Sequence, residues 1–219
     1  MHRKVIVRPT QHADVIPLIE MQKRVYPQIP PWREDLLHHQ LDVFPQGQLV
    51  ATIDDQLVGA ASSLVITWDE WNIDHTWKEI TAQGSFDTHT PVGRTLYGAE
   101  VFVHPHQRGT GIGQALYRAR RRLCRKFNLK RIMACGRLPG YHRYAEQMSA
   151  QLYAQKVVWG DLCDPVLSFQ LREGFHFCTT VPGYIPEDKE SHGYASLIVW
   201  LNPTYNPKKP TCIPEGAPI

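Results

Sequence analysis

The sequence predicts a single α/β domain, and three observations support this prediction. The chain has 219 residues, enough to bury one full core, and 42% of them are hydrophobic, as in ordinary soluble globular proteins. Segments with strand patterns alternate along it with segments of helical periodicity. The most informative stretch, residues 95–135, has the order strand, glycine-rich loop, helix and strand. That order is a βαβ unit, whose two strands should be parallel or nearly so.

The composition argues against several other classes of protein, namely membrane, secreted, disulfide-rich and metal-binding proteins. The longest apolar runs, such as 195–201, are far too short to cross a bilayer, and the first residues, MHRKV, have no apolar stretch behind them that would act as a signal peptide. We therefore expect a cytoplasmic protein with no membrane partner. The five cysteines contain no CxxC pair, and the histidines lack metal-ligand spacing, so we expect reduced thiols and no metal site.

The part of the chain before the βαβ unit predicts one strand, two helices and a hairpin. Prolines end the first strand and the first helix, and Asp54-Asp55 forms the turn of the hairpin. The predicted elements are a strand over 5–9, helices over 12–26 and 32–43, and strands over 48–53 and 56–67.

Residues 68–94 lose strand character and form an insertion. Asp74 as an N-cap and Gly84 as a terminator indicate one short helix within it. Long insertions in compact domains are often functional lids. Three tryptophans of the insertion either line a substrate pocket or pin the loop down, and the sequence leaves both alternatives open: Trp68, Trp71 and Trp77.

The rest of the chain continues with alternating helices and strands. The strand over 95–103 is apolar except for one carboxylate, Glu100, and therefore predicts a strand covered on both faces. After the helix over 111–127 and the strand over 130–135, we expect helices over 145–158 and 165–172 and strands over 176–181 and 194–201.

Six basic residues lie close together, from position 118 onwards, in the predicted helix over 111–127. They form either a nucleic-acid patch or the solvated side of an amphipathic helix, and the solvated side is the commoner case. Nucleic acid is therefore an unlikely partner. The six are Arg118, Arg120, Arg121, Arg122, Arg125 and Lys126.

The loop before this helix has the composition of a pyrophosphate site. Gly109, Gly111 and Gly113 remove side chains from one side of the turn, so that successive amides can point into one concavity at the helix N-terminus. Arg108 adds positive charge at its rim. No Gly-Lys-Ser/Thr follows, and the G-x-G-x-x-G pattern with its later acidic residue is missing, so neither the nucleotide-hydrolase loop nor a dinucleotide site is indicated.

Residues 101–116, VFVHPHQRGTGIGQAL, resemble the central motif of the GNAT N-acetyltransferases, which is written R/Q-x-x-G-x-G/A after a hydrophobic strand. The order of elements agrees over residues 4–202. The resemblance implies a GNAT fold: a mixed, mostly antiparallel, twisted sheet of about seven strands with flanking helices. It also implies a domain over 1–202 with the 68–94 insertion, followed by a proline-rich extension over 203–219.

A narrower resemblance is carried by the segments WKEIT, TLYG, GRLPGY, DPVLSFQL and WLNP. These are similar to the GNAT domain that is sometimes fused to a carbon-nitrogen hydrolase domain. The 219 residues contain no hydrolase segment, so the resemblance implies that any such partner would act in trans. A homodimer is a further expectation.

The resemblance implies transfer of an acetyl group from acetyl-CoA to a primary amine of a small molecule or peptide by direct attack. The backbones of Val101 and Val103 would pair with the pantetheine arm, and the Val103 N–H would polarise the thioester carbonyl. The remaining residues expected to contact CoA are Phe102, Arg108, Gly109, Thr110, Gly111, Ile112 and Gly113, together with Ser168 and Phe169.

Glu100 is the candidate general base, because the attacking amine must lose a proton and burial would raise the pKa of this carboxylate. The alternative is a structural pair with Arg137 or Arg143. The helix over 165–172 lacks the tyrosine that protonates the leaving thiolate in many family members, so Tyr141 and Tyr144 are the candidate acids. The missing tyrosine also keeps open a non-catalytic acyl-CoA-binding module that regulates or assembles with a partner enzyme.

Overall fold

A seven-stranded sheet is the frame of the computed structural model, which describes residues 4–27 and 30–213. The spatial order is β1-β2-β3-β4-β5-β7-β6, and β4 and β5 run parallel while every other neighbouring pair is antiparallel. This confirms the predicted mixed sheet. The strands are β1 (Ile6–Pro9), β2 (Leu49–Ile53), β3 (Gln56–Ile66), β4 (Thr95–Val103), β5 (Arg131–Arg137), β6 (His176–Val181) and β7 (Ala195–Leu201).

Helices cover both faces of the sheet. Val50 and Ala60 pack with the first helix, whereas their neighbours Ala51 and Ala61 pack with the fourth, and successive strand residues face opposite sides. The helices are α1 (Val15–Val25), α2 (Glu34–Val43), α3 (Trp77–Ile80), α4 (Ile112–Lys126), α5 (Ala150–Trp159) and α6 (Leu167–Arg172).

Side-chain caps correct two predicted helix starts. The fifth helix begins five residues later than expected, at Ala150, because the Ser149 hydroxyl accepts the Leu152 amide at 3.2 Å. In the insertion, Thr76 and not Asp74 is the N-cap of α3. The Thr76 hydroxyl accepts from the Glu79 amide at 3.2 Å while the Glu79 carboxylate accepts from the Thr76 amide at 2.8 Å, so a capping box decides the start.

The tryptophans of the insertion hold it against the sheet. The Trp68 and Trp71 rings lie edge-on to His75, with centroids 5.6 and 6.2 Å away, and buried His75 shares a 2.9 Å hydrogen bond with the Tyr97 hydroxyl of β4. Trp77 donates its indole N–H to the Ala99 carbonyl of β4 at 3.1 Å. These contacts support the pinning alternative for the tryptophans.

The described part of the C-terminal extension, residues 203–213, lies against the end of α4. Asn128 donates its amide group to the carbonyls of Asn206 at 2.9 Å and Lys209 at 3.0 Å, and it accepts the Asn206 amide at 2.9 Å. The Cys212 amide donates to the Phe127 carbonyl at 3.2 Å. The Asn128 side chain and this backbone bond therefore both hold the segment against the domain, and residues 214–219 lie outside the described part.

Arg120 of α4 does not lie on the solvated side, and for this residue the sequence prediction was wrong. Arg120 is 2% exposed. Its Nε donates to the Ser63 hydroxyl at 3.0 Å, and its Nη2 donates to the carbonyls of Ser62 at 3.0 Å and Glu100 at 2.7 Å. Burial lowers the pKa of Arg120 from its ordinary value, the direction expected for a desolvated cation.

This guanidinium lies at a bulge between β3 and β4. Ser62 pairs with Glu100 and Ser63 with Gly98, which leaves Ala99 as the extra residue. A Cβ atom at Gly98 would lie 2.8 Å from Nη1 of Arg120, so the strand needs a glycine where the cation passes. Arg120 therefore fixes the bulge by bonding the backbone of both strands.

Replacing Arg120 with methionine should destabilise the fold by about 3 kcal/mol, because the two carbonyls and the Ser63 hydroxyl would stay buried without their donor. The free energy of unfolding, measured by denaturant titration, checks this. Arg122→Met on the exposed face of the same helix is the matched control and should leave the midpoint unchanged. Equal midpoints for the two variants would contradict a structural role for the buried cation.

Candidate active site

The parallel strands β4 and β5 separate halfway along their length. Backbone pairing joins Thr95–Gly98 of β4 to Arg131–Ala134 of β5 and ends there. Both strands continue beyond this point, β4 to Val103 and β5 to Arg137. The outer edge of each strand is taken by β3 or by β7. A gap between the two facing edges therefore follows the bulge.

Backbone groups of β4 point into this gap. The His104 amide donates to the Val58 carbonyl of β3 at 2.9 Å, so by the alternation of an antiparallel pair the Phe102 amide also faces β3. The N–H and C=O groups of Val101 and Val103 consequently face the gap. An extended chain entering there can pair with β4 as an added strand.

The glycine-rich loop lies at the open end of the gap. Gly109 and Gly111 have φ values of +78° and +85°, a region that side-chain-bearing residues rarely adopt. Gly111 caps α4, whose first backbone bond runs from the Ala115 amide to the Gly111 carbonyl. The amides before Ala115 thus have no intrahelical acceptor, and with exposed Arg108 nearby they form a cradle suited to an anion.

The third glycine of the motif has a packing role. A Cβ atom at Gly113 would lie 3.2 Å from the ring of Phe169, so the glycine lets α6 approach the loop. Phe169 is therefore beside the anion cradle. Ser168, the other α6 residue predicted to contact CoA, accepts the Asp164 amide at 3.0 Å and helps to begin α6.

Glu100 is half-buried beside the gap, on the face covered by α1. Its Oε1 accepts the Tyr26 hydroxyl at 3.1 Å and the Val101 amide at 2.9 Å, which leaves Oε2 without a hydrogen-bond partner in the described part of the chain. Burial raises the pKa of Glu100 to about 7, although these two bonds and the nearby cations Arg137 and Arg120 oppose the shift. The site therefore holds a carboxylate that titrates near neutral pH.

Two arginines were considered as structural partners of Glu100, and neither of them, Arg137 or Arg143, has a hydrogen bond or ion pair with Glu100 in the described part of the chain. Arg137 donates its Nε to Asp188 at 2.6 Å and its Nη2 to Glu190 at 2.9 Å. Its guanidinium carbon also lies 5.9 Å from the centre of the Tyr26 ring. The positive charge of Arg137 is thus largely neutralised by the carboxylates of Asp188 and Glu190.

Tyr26 is a site residue that sequence reasoning missed. It follows the last turn of α1, and its ring packs edge-on against Phe102 with centroids 6.3 Å apart. Burial, together with the charge of Glu100, raises the pKa of Tyr26 well above its ordinary value, so the hydroxyl stays protonated as a donor. No local pattern connects positions 26 and 100, which are brought together by the packing of α1 on β4.

Tyr141 and Tyr144, the predicted proton donors, lie in the core beside α5. Tyr141 is buried and donates its hydroxyl to the Met148 carbonyl at 3.1 Å. The Tyr144 ring packs on Tyr153 with centroids 5.4 Å apart. Their catalytic role stays a prediction, and the Met148 contact of Tyr141 counts against that residue.

Within residues 4–27 and 30–213, no group of three or more His, Cys, Asp or Glu side chains is arranged to hold a metal ion. In the same part of the chain, no helix combines the length and the apolar character that a membrane span requires.

Sequence comparison identifies relatives. The profile described as the acetyltransferase (GNAT) family matches residues 15–148. The "Probable hydrolase YhcX" of Bacillus subtilis strain 168 is 42% identical over 207 residues, which cover 94% of this chain and 40% of that protein. The chain thus spans less than half of YhcX. The "Uncharacterized N-acetyltransferase YkwB" of the same strain is 37% identical over 94% of this chain and 92% of its own length.

Solved structures share the fold at low identity. The loading GNATL domain of CurA from Lyngbya majuscula aligns with a TM-score of 0.80 and 21% identity over 91% of this chain and 98% of its own. The GphF GNAT-like decarboxylase in complex with isobutyryl-CoA aligns with a TM-score of 0.74 and 21% identity, over 90% of this chain and 99% of its own. The ribosomal-protein-S18-alanine N-acetyltransferase of Escherichia coli aligns with a TM-score of 0.57 and 12% identity, over 94% of this chain and 99% of its own. With the profile match over more than half of the chain, these findings show that the protein belongs to the GNAT family of acetyltransferases.

Proposed function

We propose that this acetyltransferase moves an acyl group, acetyl in particular, from acyl-CoA to a primary amine of a small molecule or peptide by direct attack. The observation that carries the proposal is Glu100, a carboxylate with a pKa near neutrality and one unpartnered oxygen at the edge of a gap between parallel strands. Amine attack on a thioester needs a base of this kind at this pH.

The gap and the loop together supply the features of a CoA site. In the proposed complex the amides of residues 108–113 hold the pyrophosphate, and Val101 and Val103 pair with the pantetheine arm. The bound molecule of the structurally similar GphF decarboxylase, isobutyryl-CoA, is an acyl-CoA. A strand-like pantetheine would bring its thioester to the deep end of the gap, close to the bulge.

Val103 is the better placed of the two gap-facing amides to polarise the thioester carbonyl. The Val101 amide already donates to Glu100 at 2.9 Å, whereas the recorded backbone pairing leaves the Val103 N–H facing the gap. A donor aimed at the position where negative charge develops stabilises the tetrahedral intermediate. Oε2 of Glu100 then accepts the proton that the amine loses.

The second candidate function is an acyl-CoA-binding module without turnover, which assembles with another enzyme in trans. It is favoured by the composition of α6, which offers Ser168, Phe169 and Gln170 but no tyrosine. The relative YhcX, named a probable hydrolase, is matched over only 40% of its length, which makes a hydrolase the partner to test. Binding of acetyl-CoA without transfer to any amine would favour this candidate.

Gly111→Trp should strongly weaken acetyl-CoA binding, because the side chain would both strain a residue at φ +85° and fill the cradle. We expect the Kd for acetyl-CoA and for free CoA to rise at least about tenfold, as measured by calorimetric titration. Gly160→Trp is the matched control, since Gly160 also has a φ of +85° and ends α5 away from the loop. Unchanged binding by the Gly111 variant would contradict the cradle.

Glu100→Gln should lower kcat/KM for amine acylation at neutral pH by about a hundredfold or more, because the glutamine cannot take a proton. The wild-type rate should rise with pH through about 7 as the carboxylate ionises, and this dependence should vanish in the variant. Acetyl-CoA binding should persist in both. Glu20→Gln on the exposed face of α1 is the control, and a pH profile of Glu100→Gln identical to that of the wild type would exclude the base role.

Tyr26→Phe should move the acidic limb of the pH–rate profile to higher pH. The hydroxyl donates to the ionised form of Glu100, so its loss favours the protonated form and raises the pKa. One lost hydrogen bond to a charged group corresponds to a shift of about one pH unit. A profile that moves to lower pH would contradict this assignment.

A further inference from the structure

A buried tyrosine and glutamine form a pair beside the gap that the reaction outlined so far does not use. Tyr117 of α4 is 2% exposed and Gln170 of α6 is 3% exposed, and Nε2 of Gln170 donates to the Tyr117 hydroxyl at 3.2 Å. Oε1 of Gln170 is buried without a hydrogen-bond partner among the described residues. Buried polar atoms of this kind are rare in native proteins and call for an explanation.

The pair has a hydrogen-bond donor to spare in either orientation of the amide. As oriented, the tyrosine oxygen accepts from Gln170, and no acceptor for its own O–H is recorded in residues 4–27 and 30–213. With oxygen and nitrogen exchanged, Tyr117 would donate to Gln170, and the amide NH₂ would become the unpaired donor. In either orientation at least one N–H or O–H group is therefore left for a ligand.

The amide of Gln170 lies against the face of β5 at the point where that strand is no longer paired with β4. A Cβ atom at Gly136 would lie 2.4 Å from Oε1 of Gln170, and Gly136 belongs to the part of β5 that is no longer paired with β4. The neighbouring Phe169 touches Gly113 at the end of the anion cradle. Successive residues of α6 thus follow the path from the cradle towards the deep end of the gap.

Electrostatics at this position favour a negative ligand atom. The buried guanidinium carbon of Arg120 lies 5.7 Å from the centre of the Tyr117 ring. Burial raises the pKa of Tyr117, so its hydroxyl stays protonated. A desolvated cation and an unpaired donor together suit an anion, such as the negative charge that develops on a leaving atom during a reaction.

We propose that the Tyr117–Gln170 pair donates a hydrogen bond to the sulfur atom of CoA as the thioester is cleaved. This inference rests on the proposed acyl transfer. The amine nitrogen forms the new bond to the acyl carbon and gives its proton to Glu100, while the C–S bond breaks and its electron pair stays on sulfur. The thiolate is held by the pair and gains its proton from solvent on release, so Tyr117 loses none.

The test is the titration of the thiol group of bound CoA, which needs no amine and no turnover. Thiolate absorbance is followed against pH with protein saturated by CoA, and the same titration with desulfo-CoA subtracts the signal of the five cysteines. Removing a donor to the thiolate should raise the pKa of the bound thiol by about one unit in Tyr117→Phe. Gln170→Met, which keeps the side-chain length, should shift it in the same direction.

A matched control separates this effect from general damage to the core. Tyr153 is a fully buried tyrosine of the same core cluster, and its hydroxyl donates to Asp164 at 3.0 Å. Tyr153→Phe should therefore leave the pKa of the bound CoA thiol unchanged. If Tyr117→Phe does not fold, Gln170→Met decides the question.

The outcomes distinguish this inference from the proposed function. Absence of CoA binding to the wild type, measured by calorimetry, would overturn both. Normal binding with the same thiol titration in wild type, Tyr117→Phe and Gln170→Met would overturn this inference alone. A shift of equal size in Tyr153→Phe would also overturn it, because the effect would then be general.

Discussion

The buried guanidinium of Arg120 is the interaction on which the geometry of the site depends. A cation removed from water is tolerated only where hydrogen bonds replace its hydration, and here the acceptors are one hydroxyl and two backbone carbonyls on β3 and β4. The two strands must keep the bulge at Ala99 to present both carbonyls, since a regular register would change which groups meet the cation. A charge in the core thereby fixes an irregularity in the sheet.

The bulge is held from both faces. The Ala99 carbonyl accepts the indole N–H of Trp77 from the insertion, and the next carbonyl, that of Glu100, accepts Arg120 from α4. Two successive peptide groups are thus immobilised by side chains that come from different parts of the chain. The insertion over 68–94 is therefore part of the scaffold that orients Glu100 and the gap-facing amides, and its tryptophans and His75 form the contact that makes this possible.

The elements and the loop could be predicted because their signals are local. Helical periodicity, the Asp54-Asp55 turn and the spacing of Gly109, Gly111 and Gly113 each act within a few residues. Tyr26 was missed because it meets Glu100 across 74 residues, a contact made by helix packing. Arg120 was misplaced because charge indicates exposure, yet it lies four residues after Leu116 and four before Cys124, both buried on the apolar stripe of α4. The position of Arg120 on this apolar stripe is the sequence signal that could have indicated its burial.

In the proposed reaction, β4 separates the base, Glu100, which must accept a proton, from the Tyr117–Gln170 pair, which must donate a hydrogen bond. Glu100 and Phe102 face α1, whereas Tyr117 and Gln170 approach from the side of α4 and α6. A base and a donor in direct contact would satisfy each other and leave neither available to the substrate. Placed on opposite sides of a strand, the base can accept the amine proton on one face while the donor stabilises sulfur on the other. The pairing of β4 with β5 ends at Gly98, directly before the bulged residue Ala99, so the gap that the substrate would enter begins beside the carboxylate of Glu100.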